Sequence, residues 1–264
     1  VWLEKRCVKL GKANQANLKS AYKHCIKLGG TPYAQIKAYQ MQDCIDNCGR
    51  GYSTQGAIKN LWGHLDRFAM ELDIISKRYS DLLTSAPIPD TTKKIFTQEE
   101  IARIWENKNL PWIDSILFLL YTGFRISEML SLQTNAVDLQ EWIIRGGVKT
   151  EAGKNRLVPI HTKIQEIVRK RVETTKSGYL FEYEGEKIKQ FKYREAWADH
   201  MKKLNMNHTP HECRHTFRSN LDSAGANKVC IDRLMGHKST DTGERVYTHK
   251  NIDELRLNIE LITY

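Results

Sequence analysis

Toward the end of the chain, His211-Glu-Cys-Arg214-His215 is followed by Gly236-His237 and then by Val-Tyr247-Thr-His249. These residue types have what an attack on a phosphodiester by a protein hydroxyl requires. An arginine fork grips two non-bridging oxygens, histidines accept or donate protons, and a tyrosine can carry the phosphate covalently. Upstream, Tyr121-Thr-Gly-Phe-Arg125-Ile-Ser-Glu128-Met-Leu places Arg125 just after a glycine turn, at the start of a helix. The helix amino end adds partial positive charge there, and the guanidinium matches two phosphate oxygens. The alternative use of Arg125 is a salt bridge to Glu128. Lys149, in Val-Lys149-Thr, adds a further cation.

Positioning these groups requires a scaffold, and the pattern of apolar residues outlines one. Residues 12–28, roughly 33–48 and 54–76 read as helices. In the third, Ile58, Leu61, Leu65, Phe68, Ala69 and Leu72 recur at helical spacing, with Ser53 or Thr54 as a cap. Thr84-Ser-Ala-Pro87-Ile-Pro89-Asp90 cannot continue a helix and reads as an extended linker. The expected organisation is a helical domain over 1–84, a linker over 85–94 and a second domain over 95–264. In that second domain Thr97 and Glu100 fit a capping box, and Trp112 to Tyr121 reads as a buried helix broken by Gly123. Arg125 then opens a helix through Leu132. Trp142–Arg145 and Arg156–Ile160 read as strands joined by a hairpin-like connection, and Arg156 as a residue that holds its strand. The remainder reads as helical, with breaks at 176–187 and at Thr209-Pro210. The fold class is mainly α with a small antiparallel β-sheet (α+β).

The chain of 264 residues carries 41 Lys and Arg against 31 Asp and Glu, a net charge of +10. That balance favours a polyanionic partner, nucleic acid first. Residues 1–88 hold 13 basic and 7 acidic side chains, a net of +6, and residues 89–264 hold 28 and 24, a net of +4. The shorter segment is the more basic per residue, as a DNA-gripping element should be. Six cysteines show no CxxC pair; Cys44 and Cys48 share a helix face and read as core, and all six as reduced thiols. There is no apolar run near 18 residues and no signal peptide, so no membrane role follows. The chain opens on Val1, which fits a fragment lacking its amino-terminal part.

TGxRxSExL, HxxRH, GH and YxH, in that order and behind a basic helical domain, resemble the tyrosine recombinase (phage integrase) family. The match covers about 95–250. The resemblance implies a helical core-binding domain, a catalytic domain and a C-shaped clamp around duplex DNA. It places Arg125 and Arg214 on the scissile phosphate, His211 as proton acceptor for the attacking phenol, His237 as a hydrogen-bond partner of the phosphate and Tyr247 as the nucleophile. Lys149 resembles the hairpin lysine that protonates the departing 5′ oxygen, with Lys154 as the runner-up. No cofactor, metal or ATP is implied. His215 reads as structural and His249 as a local support. Gly243, four residues before Tyr247, departs from the less flexible residue common in the family and would loosen the nucleophile segment.

The implied activity is site-specific cleavage and rejoining of DNA through a 3′-phosphotyrosine and a Holliday junction, for integration and excision of a mobile element. The alternatives are a chromosome-dimer-resolving recombinase, a type IB topoisomerase-like enzyme, and a DNA-binding protein without catalysis. Implied partners are double-stranded DNA with inverted-repeat-like core sites, further copies of the chain from dimer to tetramer, and accessory DNA-bending or excision factors. A bacterial cytoplasmic, nucleoid-associated location follows. Thr54, Gln55 and Lys59 are candidates for contact with bases, and Lys154 for the DNA. The tail from Ile252 has apolar residues at 252, 255, 259 and 262, an amphipathic helix. In the family such a tail often packs on a neighbouring subunit; docking on its own domain is the alternative.

Overall fold

The computed structural model describes residues 1–90, 94–147, 156–237 and 251–264 and has two units, Val1–Thr91 and Thr92–Tyr264. In the first, α1 (Trp2–Lys5), α2 (Lys12–Lys23), α3 (Ala38–Asp46) and α4 (Tyr52–Glu71) enclose one apolar core. Leu18 of α2, Met41 and Ile45 of α3, and Ile58, Leu61 and Trp62 of α4 are buried in it. The carboxylate of Asp66, on α4, is also buried, and it accepts from Tyr33 Oη and the Ser80 amide, both at 2.6 Å. That pairing offsets the cost of burying a charge.

The boundaries differ from the sequence expectation. α4 starts at Tyr52 with Gly51 as an extended N-cap, so Ser53 and Thr54 lie inside the first turn and do not cap it. It ends at Glu71, because Asp73 adopts a left-handed conformation (φ 55°). The stretches 12–28 and 33–48 each hold a shorter α-helix plus a 3-10 turn, Ile26–Leu28 and Tyr33–Gln35.

In the second unit α5 (Gln98–Glu106) starts at the Thr97–Glu100 capping box, with Glu100 N donating to Thr97 Oγ1 at 3.2 Å and Thr97 N to Glu100 Oε2 at 2.8 Å. α6 (Ile113–Thr122) is buried at every residue except Asp114. α7 (Ile126–Met129) is a single turn, shorter than the helix expected through Leu132. A three-stranded antiparallel sheet follows, β1 (Val137–Asp138), β2 (Ile143–Gly146) and β3 (Arg156–Pro159), in that order. β2 and β3 pair from Ile143↔Pro159 to Gly146↔Arg156.

After α8 (Gln165–Thr174), β4 (Glu182–Tyr183) and β5 (Glu186–Lys187) form a second hairpin inside the stretch expected only as a break. Its turn residues Glu184 and Gly185 both have positive φ, as a two-residue turn matching strand twist requires. β1 and this hairpin escaped the sequence reading because two-residue strands carry no detectable period. Then come α9 (Gln190–Lys203), α10 (Pro210–Ser223), α11 (Lys228–Met235) and α12 (Ile252–Ile259).

The tail docks on its own unit. Leu255, Ile259, Ile262 and Tyr264 join the core that holds Tyr121, Ile144 and Val158. His161 Nε2 lies 3.1 Å from the Ile262 carbonyl, Thr162 donates twice to Glu260 at 2.8 and 2.9 Å, and Tyr264 Oη donates to the Leu120 carbonyl at 2.5 Å. All six thiols are unbridged, and all are buried except the half-buried Cys48. Among the described residues no helix is long and apolar enough to cross a membrane.

Candidate active site

The site grows from a tight turn. Gly123 ends α6 in the left-handed region (φ 63°), and a Cβ there would lie 2.5 Å from the Phe217 ring of α10. Glycine therefore serves twice, since only it adopts this φ without strain and only it lets α10 close onto α6. Two residues on, Arg125 is the N-cap of α7. Its amide donates to Glu128 Oε2 at 3.0 Å and its Nη1 to Glu128 Oε1 at 2.8 Å. The salt bridge to Glu128 is thus real, and it fixes an arginine side chain that is still 19% exposed. On its far side Glu128 accepts from Arg156 Nη2 at 3.1 Å, and the Arg156 guanidinium lies 4.3 Å from the Phe124 ring centroid. Arg156 thereby ties β3 to α7, beyond the strand-holding role its position implies.

α10 supplies the second arginine. Its amino end is clamped by His208, whose Nδ1 lies 2.6 Å from Glu212 Oε2 and whose Nε2 lies 3.0 Å from Glu100 Oε2 of α5. The His208 ring stacks on Phe96 at 3.9 Å. One turn later Arg214 is buried, with Nη1 donating to the Gly123 carbonyl at 2.5 Å and Nη2 to the Met235 carbonyl. Arg214 Nη2 is also 3.1 Å from His237 Nε2. His211 lies three positions before Arg214, so the two share a helix face; His211 is exposed. The His211 and His215 rings lie edge to face at 4.7 Å.

His237 is placed by a helix ending. Gly236 follows α11 with φ 63°, its amide donates to the Arg233 carbonyl at 3.0 Å, and the His237 amide donates to the Asp232 carbonyl at 2.9 Å. This is a Schellman motif, in which glycine takes the left-handed position and the next residue is tied back to the last turn. The Gly-His pair thus has a backbone reason.

Among the described residues the site holds more cations than anions, with Arg125, Arg156, Arg214 and Arg218 against Glu128 and Asp232. Burial first, then Arg125 and Arg156, push the Arg214 guanidinium down to about 9. Burial alone would raise the Glu128 carboxyl, but Arg156 and the two Arg125 bonds outweigh it and hold it below the usual carboxylate range. Burial and Arg214 lower His237. Glu128 is engaged on both oxygens, so a diester phosphate entering beside Arg125, Arg214 and His237 would supply the missing negative charge.

The structure sets Arg214 against His237 and onto the Gly123 turn that presents Arg125, with His211 on the same α10 face as Arg214. Lys149, Lys154, Tyr247, Gly243 and His249 lie outside the described residues. In the first unit Thr54 and Lys59 are half-buried on α4. Gln55 is engaged at both ends of its amide, donating to the Arg50 carbonyl at 3.3 Å and accepting from the Ala86 amide at 2.7 Å. Sequence reasoning passed over Asp232, Arg218 and the Glu100–His208–Glu212 clamp. Only the clamp's i, i+4 spacing of His208 and Glu212 was visible in one dimension. Among the described residues no group of three or more His, Cys, Asp or Glu is placed to hold a metal.

The fold is that of solved integrase structures. It superposes on the Tn1549 transposon integrase in complex with circular intermediate DNA, with a TM-score of 0.73, 22% identity and coverage of 95% of this chain and 94% of that one. It also superposes on lambda integrase from a tetramer bound to a Holliday junction, with a TM-score of 0.75, 14% identity and coverage of 91% and 77%. The model of the phage integrase family matches residues 94–254, and the chain belongs to that family. Relatives include tyrosine recombinase XerA of Pyrococcus horikoshii, 30% identical over 190 residues that cover 69% of this chain and 65% of the relative. Another is tyrosine recombinase XerD of Vibrio vulnificus, 26% identical over 225 residues that cover 76% and 69%. The matched region thus spans slightly under two thirds of the archaeal relative's length.

Proposed function

We propose that this chain is a site-specific DNA recombinase that cuts and rejoins strands through a phosphotyrosine at Tyr247. The observation that carries the reading is Arg214 set against His237 and onto the Gly123 turn that presents Arg125, where cations outnumber anions among the described residues. In the proposed step the Tyr247 oxygen attacks the phosphorus, a 3′-phosphotyrosine bond forms and the bond to the 5′ oxygen breaks. His211 takes the phenol proton and Lys149 protonates the departing oxygen. A tyrosine phenol titrates near 10 when unperturbed, so the neighbouring cations and His211 are needed to make it an effective nucleophile at neutral pH. Arg125 and Arg214 stabilise the charge on the pentacoordinate phosphorus, the work done by Mg²⁺ in two-metal nucleases. The covalent intermediate conserves the phosphodiester energy, so rejoining by the 5′ hydroxyl of a partner strand needs no ATP.

The first unit is the core-binding domain in this reading, with Thr54 and Lys59 of α4 facing DNA and Gln55 released from its bonds to Arg50 and Ala86 on binding. The substrate is duplex DNA with inverted-repeat-like core sites, held by two to four copies through a Holliday junction, and the setting is the bacterial nucleoid. Likeness to the Tn1549 and lambda integrases favours integration and excision of a mobile element. The XerA relative favours a second reading, chromosome-dimer resolution by the same chemistry. A nicked half-site substrate tests the reaction. An SDS-resistant adduct that forms without Mg²⁺ and is lost in Tyr247→Phe is expected; no adduct on the correct site overturns the reading. Recombination between the ends of a flanking element, set against recombination between chromosomal sites, separates the two settings.

A further inference from the structure

Among the described residues three charged groups face His237, two on α10 and one on α11. Its Nε2 lies 3.1 Å from Arg214 Nη2, and its Nδ1 lies 3.2 Å from Arg218 Nη1 and 3.4 Å from Asp232 Oδ1. The Asp232 carboxylate is also 3.8 Å from Arg218 Nη1. Arginines only donate, so among these three groups Asp232 alone can accept a proton from the ring. The neutral ring is therefore satisfied when Nδ1–H points to Asp232 and Nε2 accepts from Arg214. The backbone reinforces this, because the Asp232 carbonyl also holds the His237 amide at 2.9 Å. Side chain and main chain of one residue thus set both the place and the orientation of the ring.

We propose that Asp232 is a positioning residue that orients His237 and supplies the counter-charge it needs to donate from Nε2 to the scissile phosphate. The proposal rests on the phosphodiester reading given above. With a phosphate oxygen beside Nε2 and Nδ1–H kept on Asp232, the ring carries a proton on both nitrogens when it donates there; the competing neutral tautomer, with Nδ1 accepting from Arg218, leaves Asp232 unused. The second ring proton comes from water, and it is opposed first by partial burial and then by Arg214 and Arg218. Asp232 is the group that offsets them, as a carboxylate behind a histidine does in other sites.

The test is covalent-adduct formation on a nicked half-site across pH 6–9, with half-site affinity and thermal melting measured alongside. In Asp232→Asn the amide cannot balance the imidazolium charge. The alkaline limb of the cleavage profile should move to lower pH, and cleavage at pH 8 should fall on the order of 10-fold to 100-fold, with affinity retained. Asp232→Glu, which keeps the charge, should keep the limb near its original position. In a His237→Ala background Asp232→Asn should cause no further loss. A limb unmoved in Asp232→Asn, or an equal loss with and without His237, overturns the proposal. If Asp232→Asn fails to fold, an alkaline limb that moves to lower pH in Asp232→Glu, which keeps the charge, overturns it. An adduct that persists in Tyr247→Phe would instead sink the phosphotyrosine reading itself.

Discussion

Arg214 Nη1 donates to the carbonyl of Gly123 at 2.5 Å, so one arginine of the site is anchored on the turn that presents the other, Arg125. The same guanidinium reaches the Met235 carbonyl, beside the turn that presents His237. Arg214 therefore joins three segments by hydrogen bonds that a point charge cannot copy. Arg214→Lys should lower adduct formation by about 10²-fold to 10³-fold, since lysine cannot hold two carbonyls and a phosphate together. Binding of the half-site should change little, because the positive charge is kept. A gel-shift titration and an adduct assay on the same substrate check this; proportional losses in both would show that Arg214 acts in binding alone.

Gly123→Ala should destabilise the second unit by roughly 2–5 kcal/mol, combining about 1–2 for a left-handed alanine with about 1–3 for overpacking against Phe217. Phe217→Leu in that background should recover only the packing share. Urea unfolding of the single and double variants separates the two shares. A Gly123→Ala protein as stable as the parent would show that the turn relaxes.

Glu128 bridges Arg125 and Arg156, and removing one partner leaves an uncompensated buried charge. Arg156→Met and Glu128→Gln should each cost about 3–5 kcal/mol. The double variant should lose less than the sum, because no charge is then stranded between β3 and α7. A double-mutant cycle in urea reads the coupling. Adduct formation should stay impaired in the double variant, since Arg125 has lost its anchor.

The direction of the Glu128 shift sets a pH dependence. Its folded carboxyl lies below the unfolded value, so its stabilising contribution is present above the ordinary glutamate range and is lost as pH falls through the folded value. Melting temperatures from pH 7 down to pH 3 should fall for the parent and fall less for Glu128→Gln over the same window. Parallel curves would remove Glu128 from the account.

Ile259→Ala should cost about 2–5 kcal/mol, because α12 is part of the core of its own unit and Ile259 has no exposure. Monomeric protein at low concentration should show the loss. A loss that grows with protein concentration would mean that the helix docks on a neighbour instead.

Some of the site was legible residue by residue. Arg125 at a helix start and the option of pairing with Glu128 both follow from i, i+3 spacing, and the Thr97–Glu100 box follows from local capping chemistry. Gly123 was legible as a helix breaker, and the Gly-His pair as a motif, but their reasons were not. The contact of Gly123 with Phe217 joins residues 94 positions apart (217 − 123). Likewise Arg156 meets Glu128, 28 positions away, through packing that no local pattern announces. Gln55 stands in the sequence as a candidate for base contact on an early helical turn, yet its amide is bonded to Arg50 and Ala86.

Sequence by itself determined the residue types that phosphoryl transfer needs, their order, the basic charge and most helices, because propensity, capping and periodicity act over a few residues. Tertiary structure decided which of those groups share one position. It also decided that a buried glutamate serves two arginines and that the tail docks on its own unit. Those outcomes depend on close packing and on the need to pair buried charges across distant segments, which become neighbours only when the chain has folded.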